Sequence, residues 1–192
     1  MSKILRYLSH PQVKIDAAIP VPEWGLSDLG KDRAKLFARS KCLLQTKSVY
    51  SSAETKAIET GNTIAKKLGL NLNLRPGTHE NDRSATGFLK PDEFETVANA
   101  FFAAPYESVR GWERAIDAQK RIVEETRQII EDAVDGDILM VGHGGVGTLL
   151  LCHFAGLAIS RERDQPAGGG NVFAVDLSRM DIIHPWRRLE DI

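Results

Sequence analysis

The sequence predicts an α/β protein, a three-layer sandwich in which a mostly parallel central sheet is covered by helices on both faces. Three observations carry that expectation. Short apolar runs alternate along the chain with longer segments of helical periodicity. Polar, Gly- and Pro-containing stretches follow the apolar runs, which gathers the chemistry-bearing loops at the C-terminal edge of the sheet. The chain has 192 residues, 42% of them apolar and 27% charged, which suits one domain over 1–192 with a sizeable core.

Taken in order, KILRYLS at 3–9 is a short strand that stops at His10-Pro11, and a loop runs on to Gly25. Ser27 is placed to cap a helix over about 28–40, with Leu29, Leu36 and Phe37 roughly on one face. An apolar run at Val49-Tyr50 leads into Ser51-Ser52 and a second helix carrying Ala57, Ile58, Gly61, Ile64, Ala65 and Leu68, which Gly69 ends. Leu70 to Leu74 alternate as a half-buried strand, and Pro76-Gly77 turns the chain into the aperiodic polar segment THENDRSATG. Pro91 opens a helix with Phe94, Val97, Ala98 and Phe101 on one face, and Pro105 closes it. A longer helix covers about 112–134, and DILMV at 137–141 is a buried strand. GHGGVG breaks that strand before the apolar, helix-like TLLLCHFAGLAI. Closing strands are expected at 171–176 and 181–184, the first preceded by a tight turn at AGGGN.

Composition narrows the function. Basic and acidic residues number 25 and 26, a net charge of −1, so no global field draws nucleic acid or an anionic membrane, and anion selectivity has to be local. Nothing approaches the ~20 apolar residues of a membrane span. Lys3 and Arg6 interrupt the opening MSKILRYLSH, so no signal-peptide core forms and the cytoplasm is the expected location. Cys42 and Cys152 are far apart and have no neighbouring metal ligands, the pattern of free thiols in a reducing compartment.

Two histidines stand out because each follows a predicted strand and is flanked by Pro or Gly. His10 and His143 would therefore share one edge of a parallel sheet, and two such histidines are harder to dismiss as structural than one. Ser51-Ser52, between a strand and a helix, offers hydroxyls and unsatisfied N–H groups to an anion, although alone it is an ordinary helix cap. Lys56 lies one turn further on, where a solvated surface lysine is the plainer reading without context. The polar loop carries His79, Glu80, Asp82 and Arg83, and Glu80 would serve as a proton donor if its surroundings raised its pKa.

In their order these segments resemble the histidine phosphatase (phosphoglycerate mutase-like) superfamily over nearly the whole chain. LSHPQV stands where that family has a strand ending in Arg-His-Gly, and GLSDLG is similar to its Leu-Thr-x-x-Gly helix start. YSSAETKAIETGNTIA resembles its Tyr-Ser-Ser helix with a downstream basic residue, THEND its acid loop, and ILMVGHGGV its second histidine strand. The resemblance implies a phosphoglycerate mutase-like fold and a metal-independent, cofactor-free phosphatase acting on a small phosphorylated substrate. In that scheme His10 attacks phosphorus and becomes a phosphohistidine. Glu80 protonates the departing oxygen and later deprotonates water. His143, Ser52 and Lys56 balance charge on the equatorial oxygens. A mutase is disfavoured because the chain has little room for a lid that excludes water.

Three positions depart from the family pattern: Ser9 replaces the arginine before the nucleophile, Pro11 the glycine after it, and Lys56 the second arginine. A serine at position 9 offers the phosphate one neutral hydrogen bond where arginine gives a charged fork, a loss of about 1–2 kcal/mol. Arg83 is the candidate to fill that gap, and either Glu80 or Asp82 is the acid. The same departures motivate an alternative, a catalytically impaired module that binds a phosphorylated ligand or partner. GHGGVG also satisfies the dinucleotide-binding Gly pattern, but it falls late in the chain and no ribose-binding acid ends a following strand. No G-x-S-x-G elbow is present to support a serine hydrolase.

Overall fold

The computed structural model describes residues 3–192. Strand β1 (Ile4–Ser9) is followed by α1 (Asp28–Phe37), β2 (Thr46–Ser51), α2 (Thr55–Leu68) and β3 (Leu72–Leu74). Then come α3 (Pro91–Ala103), α4 (Ala115–Asp132), β4 (Asp137–Gly142), α5 (Gly144–Phe154), β5 (Asn171–Asp176) and β6 (Asp181–Arg188). The six strands form one mixed sheet in the order β3-β2-β4-β1-β5-β6. The first four are mutually parallel, whereas β5 runs antiparallel to β1 and β6 antiparallel to β5. The short Leu177–Met180 link between β5 and β6 allows only a hairpin, because a parallel return needs a crossover of a dozen or more residues.

Alternation along the strands separates two apolar cores. Leu5, Tyr7, Ile138, Met140 and Phe173 pack under α3, α4 and α5. Leu8, Val49, Leu139, Val141 and Val172 pack under α1 and α2. Strand β4 lies between two neighbours and is buried at every residue, as a continuous apolar run in a sheet covered on both faces requires. Gly69 ends α2 in the left-handed conformation, with φ 69°, a geometry that costs glycine no Cβ clash.

Helix α1 ends at Phe37, short of position 40, and turns a different face inward. Its buried residues are Gly30, Arg33, Ala34 and Phe37, at i, i+3, i+4, i+7 spacing, while Leu29 and Leu36 are exposed. Ser27 caps it by accepting the Gly30 N–H at 3.1 Å. The inward glycine has a steric reason: a Cβ at Gly30 would stand 2.1 Å from the carbonyl oxygen of Gln12, two residues past His10. Gly30→Ala is therefore expected to force that loop outward and cost roughly 1–3 kcal/mol, as overpacking does. Urea unfolding checks this, and an unchanged midpoint would show that the loop yields freely.

Helix α5 corrects another boundary. It begins at Gly144 and takes up the glycines that the sequence pattern assigns to a strand-to-helix break. These glycines make room for protein side chains. A Cβ at Gly142 would lie 2.2 Å from the Tyr7 hydroxyl, at Gly145 2.7 Å from a Glu80 carboxylate oxygen, and at Gly147 2.6 Å from the Tyr7 ring. The first N–H groups of α5 thus face a carboxylate of the chain itself, which leaves no nest for a pyrophosphate.

Candidate active site

Strand register assembles the site. In the parallel β1–β4 ladder Ser9 pairs with Gly142, so the next residues, His10 and His143, leave the sheet side by side. Their ring centroids are 5.4 Å apart and the rings meet edge to face, a separation close to the spacing of adjacent strands. On the other side of β4, Ser51 pairs with Val141, which brings Ser52 to the same edge.

Each imidazole is held in a defined way. His10 Nδ1 lies 2.8 Å from the Pro11 carbonyl oxygen. A carbonyl only accepts, so Nδ1 carries the proton and Nε2 keeps its lone pair. Burial, with the nearby His143 and Lys56 adding to it, lowers the His10 pKa to about 3, which leaves the ring neutral at neutral pH. The backbone of His143 is clamped by Tyr7, whose hydroxyl accepts the His143 N–H at 3.0 Å and donates to its carbonyl at 3.1 Å. The His143 ring is fully buried, with Nε2 2.7 Å from Ser52 Oγ and Nδ1 without a partner. Burial lowers its pKa as well, against the opposing pull of Glu54 and Glu80.

Lys56 is no solvated lysine. It is 3% exposed, and its ammonium donates to Glu54 Oε2 at 2.5 Å and to the Val21 carbonyl at 2.8 Å. Glu54, which precedes α2, uses its other oxygen to accept the Glu80 N–H at 2.9 Å, and that oxygen lies 3.4 Å from His143 Nε2. Burial opposes the Glu54 charge, but His143, Lys56 and the Glu80 N–H outweigh it and hold the carboxyl at about 2. Sequence reasoning missed Glu54; an acid two residues before the basic residue of a Ser-Ser helix start was the available signal.

Glu80 sits at the N-terminus of α5. Its carboxylate accepts the N–H groups of Asn81, Gly145 and Val146 at 2.9–3.0 Å. Burial pushes its pKa up, yet His143, Arg83 and these N–H groups leave it below the usual carboxylate range. Arg121, also missed, fixes the loop by donating to the carbonyls of Gly77, His79 and Glu80. Asp82 is on the surface and accepts the Ser84 N–H, so of the two candidate acids only Glu80 is drawn in, half-buried, to the start of α5 that follows His143.

Two cavities meet at Glu80, Asn81 and Arg83. One, of about 600 Å³, is walled by Pro20–Pro22, Glu54 and residues 79–84. The other, of about 860 Å³, is lined by His10, Phe94, Trp112, Gly144, Arg161 and Gln165 among others. The Arg83 guanidinium lies over the ring of Phe94, 4.9 Å from its centroid, and forms no hydrogen bond or ion pair among the described residues. Of the residues singled out from sequence, then, His10, His79, Glu80, Asp82 and Arg83 line one or both cavities, whereas His143, Ser52 and Lys56 form a hydrogen-bonded layer beneath them. Ser9 is 1% exposed and its hydroxyl is occupied by Gln165 and Asn171, so it presents no free hydroxyl to the cavity. Among the described residues no group of three or more His, Cys, Asp or Glu side chains is arranged to hold a metal ion. No described helix is long and apolar enough to cross a membrane.

Solved structures share this fold. A mycobacterial glucosyl-3-phosphoglycerate phosphatase in complex with inorganic phosphate superposes with a TM-score of 0.76 at 18% identity, over 97% of this chain and 95% of that one. Bacillus stearothermophilus YhfR gives 0.77 at 20% identity, over 96% and 95%. The Entamoeba histolytica phosphoserine phosphatase in complex with 3-phosphoglyceric acid gives 0.75 at 15%, over 96% of each. No curated protein sequence matches the chain. The family model of the histidine phosphatase superfamily (branch 1) matches residues 18–180, a span that takes in the Ser-Ser helix, the acid loop and the second histidine strand. This chain belongs to the histidine phosphatase superfamily.

Proposed function

We propose that the protein is a metal-independent phosphatase that hydrolyses a small phosphomonoester through a phosphohistidine on His10. The observation that carries this reading is the neutral His10 ring, its Nδ1 proton committed to Pro11 and its Nε2 free, beside a buried His143 at one sheet edge. The family match begins after His10, so that residue's role rests on the geometry. Nε2 attacks phosphorus in line, the P–N bond forms and the ester P–O bond breaks. The surroundings of Glu80 lower its pKa rather than raise it, so the free protein holds it as a carboxylate; the proton it gives to the leaving oxygen is brought by a substrate that binds as its phosphate monoanion and passes that proton to Glu80. Water then attacks phosphorus, Glu80 takes its proton and His10 is released.

Assaying a panel of phosphomonoesters with wild type and His10→Ala tests the reading. Wild-type activity no higher than that of His10→Ala would favour the alternative, a non-catalytic module that binds a phosphorylated ligand. Phosphatase is preferred to mutase, since the cavity that His10 lines is open enough to admit water between transfers.

Arg83 supplies the cation of the leaving-group side. Among the described residues its guanidinium has no ion-pair partner, and Arg83 lines both cavities, so a swing off Phe94 and Trp112 toward the phosphoryl group breaks no ion pair. Arg83→Ala is expected to lower kcat/KM by roughly ten- to several-hundredfold, on the scale of a charged hydrogen bond in the transition state. A change under twofold would leave Arg83 as a surface residue stacked on Phe94.

A further inference from the structure

By the resemblance an arginine would stand where this chain has Ser9, and without it the proposed phosphoryl group is one donor short on the β1 side. Ser9 cannot supply it. Its oxygen accepts the Asn171 N–H at 3.0 Å, and its proton goes to Gln165 Oε1 at 2.5 Å. The neighbouring amides settle which way Gln165 faces. Asn171 Nδ2 donates to the Pro166 carbonyl at 2.9 Å, so that atom must be the nitrogen, and it also donates to the same Gln165 oxygen at 3.0 Å. With two donors converging on Oε1, the Gln165 Nε2 points the other way.

That nitrogen stands over the start of α5. It is 2.1 Å from where a Cβ of Gly144 would be, a place open only because residue 144 is glycine. Among the described residues it has no acceptor, and Gln165 lines the same cavity as His10. We propose that Gln165 donates its Nε2–H to an equatorial oxygen of the phosphoryl group, and that Ser9 is the positioning residue that orients it. A glutamine amide from the 161–170 loop thus takes over, without charge, the place of the missing arginine. A neutral donor in a pocket that already holds the Glu80 carboxylate gives weaker anion binding than a guanidinium fork, which suits a substrate whose remaining affinity comes from its leaving group.

This inference rests on the proposed phosphoryl site, and its test separates the two. Inorganic phosphate binding is measured by calorimetry, and hydrolysis of p-nitrophenyl phosphate is followed, for wild type, Gln165→Ala, Gln165→Glu and Ser9→Ala. Gln165→Glu keeps an acceptor for Ser9 and Asn171 and replaces the donor with a carboxylate oxygen, so it holds the loop in place. Gln165→Ala is expected to weaken phosphate binding and kcat/KM by roughly five- to twentyfold, the scale of one lost hydrogen bond, and Gln165→Glu by more because it adds charge repulsion. Ser9→Ala should lower kcat/KM less than Gln165→Ala does, and add nothing in the Gln165→Ala background. Wild-type phosphate affinity in both Gln165 variants overturns the proposal. A wild-type protein that binds phosphate through Gln165 yet hydrolyses no ester upholds the donor and sinks the phosphatase reading. Absence of phosphate binding in wild type sinks both.

Discussion

His10→Ala is expected to lower kcat for phosphomonoester hydrolysis by about 10³–10⁶, the range seen when a covalent nucleophile is removed from a site whose other groups remain. Wild-type protein mixed with labelled substrate and quenched in alkali should carry the label on His10, as a P–N linkage that acid hydrolyses. His10→Ala should carry none. The argument is electrostatic as well as geometric. An imidazolium has no lone pair to offer phosphorus, and His10 escapes protonation because burial beside His143 and Lys56 holds its pKa at about 3. His10 therefore stays a competent nucleophile well below pH 6, and an acid limb in the rate profile reports the substrate phosphate or another group. Chelator should leave turnover unchanged. Full activity in His10→Ala, or activity lost to chelator and restored by a divalent metal, would overturn the mechanism.

Lys56→Met is expected to destabilise the protein by about 3–5 kcal/mol, since it leaves the Glu54 carboxylate buried without its cation. The two side chains are 4% and 10% exposed, with the ammonium held between Glu54 and the Val21 carbonyl. At the surface the same pair would be worth at most ~1 kcal/mol. The double variant Lys56→Met with Glu54→Gln should recover much of the loss, because the uncompensated charge is then gone. Urea unfolding midpoints of the two single variants and the double variant decide it. A cost below about 1 kcal/mol for Lys56→Met would show that water reaches the pair. The pair also shapes the chemistry. Glu54 lies 3.4 Å from His143 Nε2 and accepts the Glu80 N–H, so losing its cation disturbs both residues beneath the cavity.

Much of the fold could be read from local pattern because local pattern decides it. Ser27, Gly69 and Pro91 mark helix ends through capping, left-handed φ and fixed φ, effects confined to a few neighbouring residues. ILMV at 138–141 signals a buried parallel strand because no polar residue interrupts it. The face of α1 was misjudged for a related reason. Leu29 and Leu36 look like core residues, but Gly30 has to meet the Gln12 carbonyl, and that contact rotates the helix until both leucines face water.

What the sequence by itself determined is which residues arrive at the sheet edge: His10 and His143 follow strands, Ser52 opens a helix, and Glu80 and Arg83 lie on one polar loop. What only the tertiary structure decided is who their partners are. Register sets His10 against His143, the start of α5 receives Glu80, and α2 buries Lys56 against Glu54. The loop at 161–170 brings Gln165 over Ser9 from 156 positions away. Hydrogen bonds of that span are fixed by where whole strands and helices pack, and no period or spacing within a local stretch of chain encodes them.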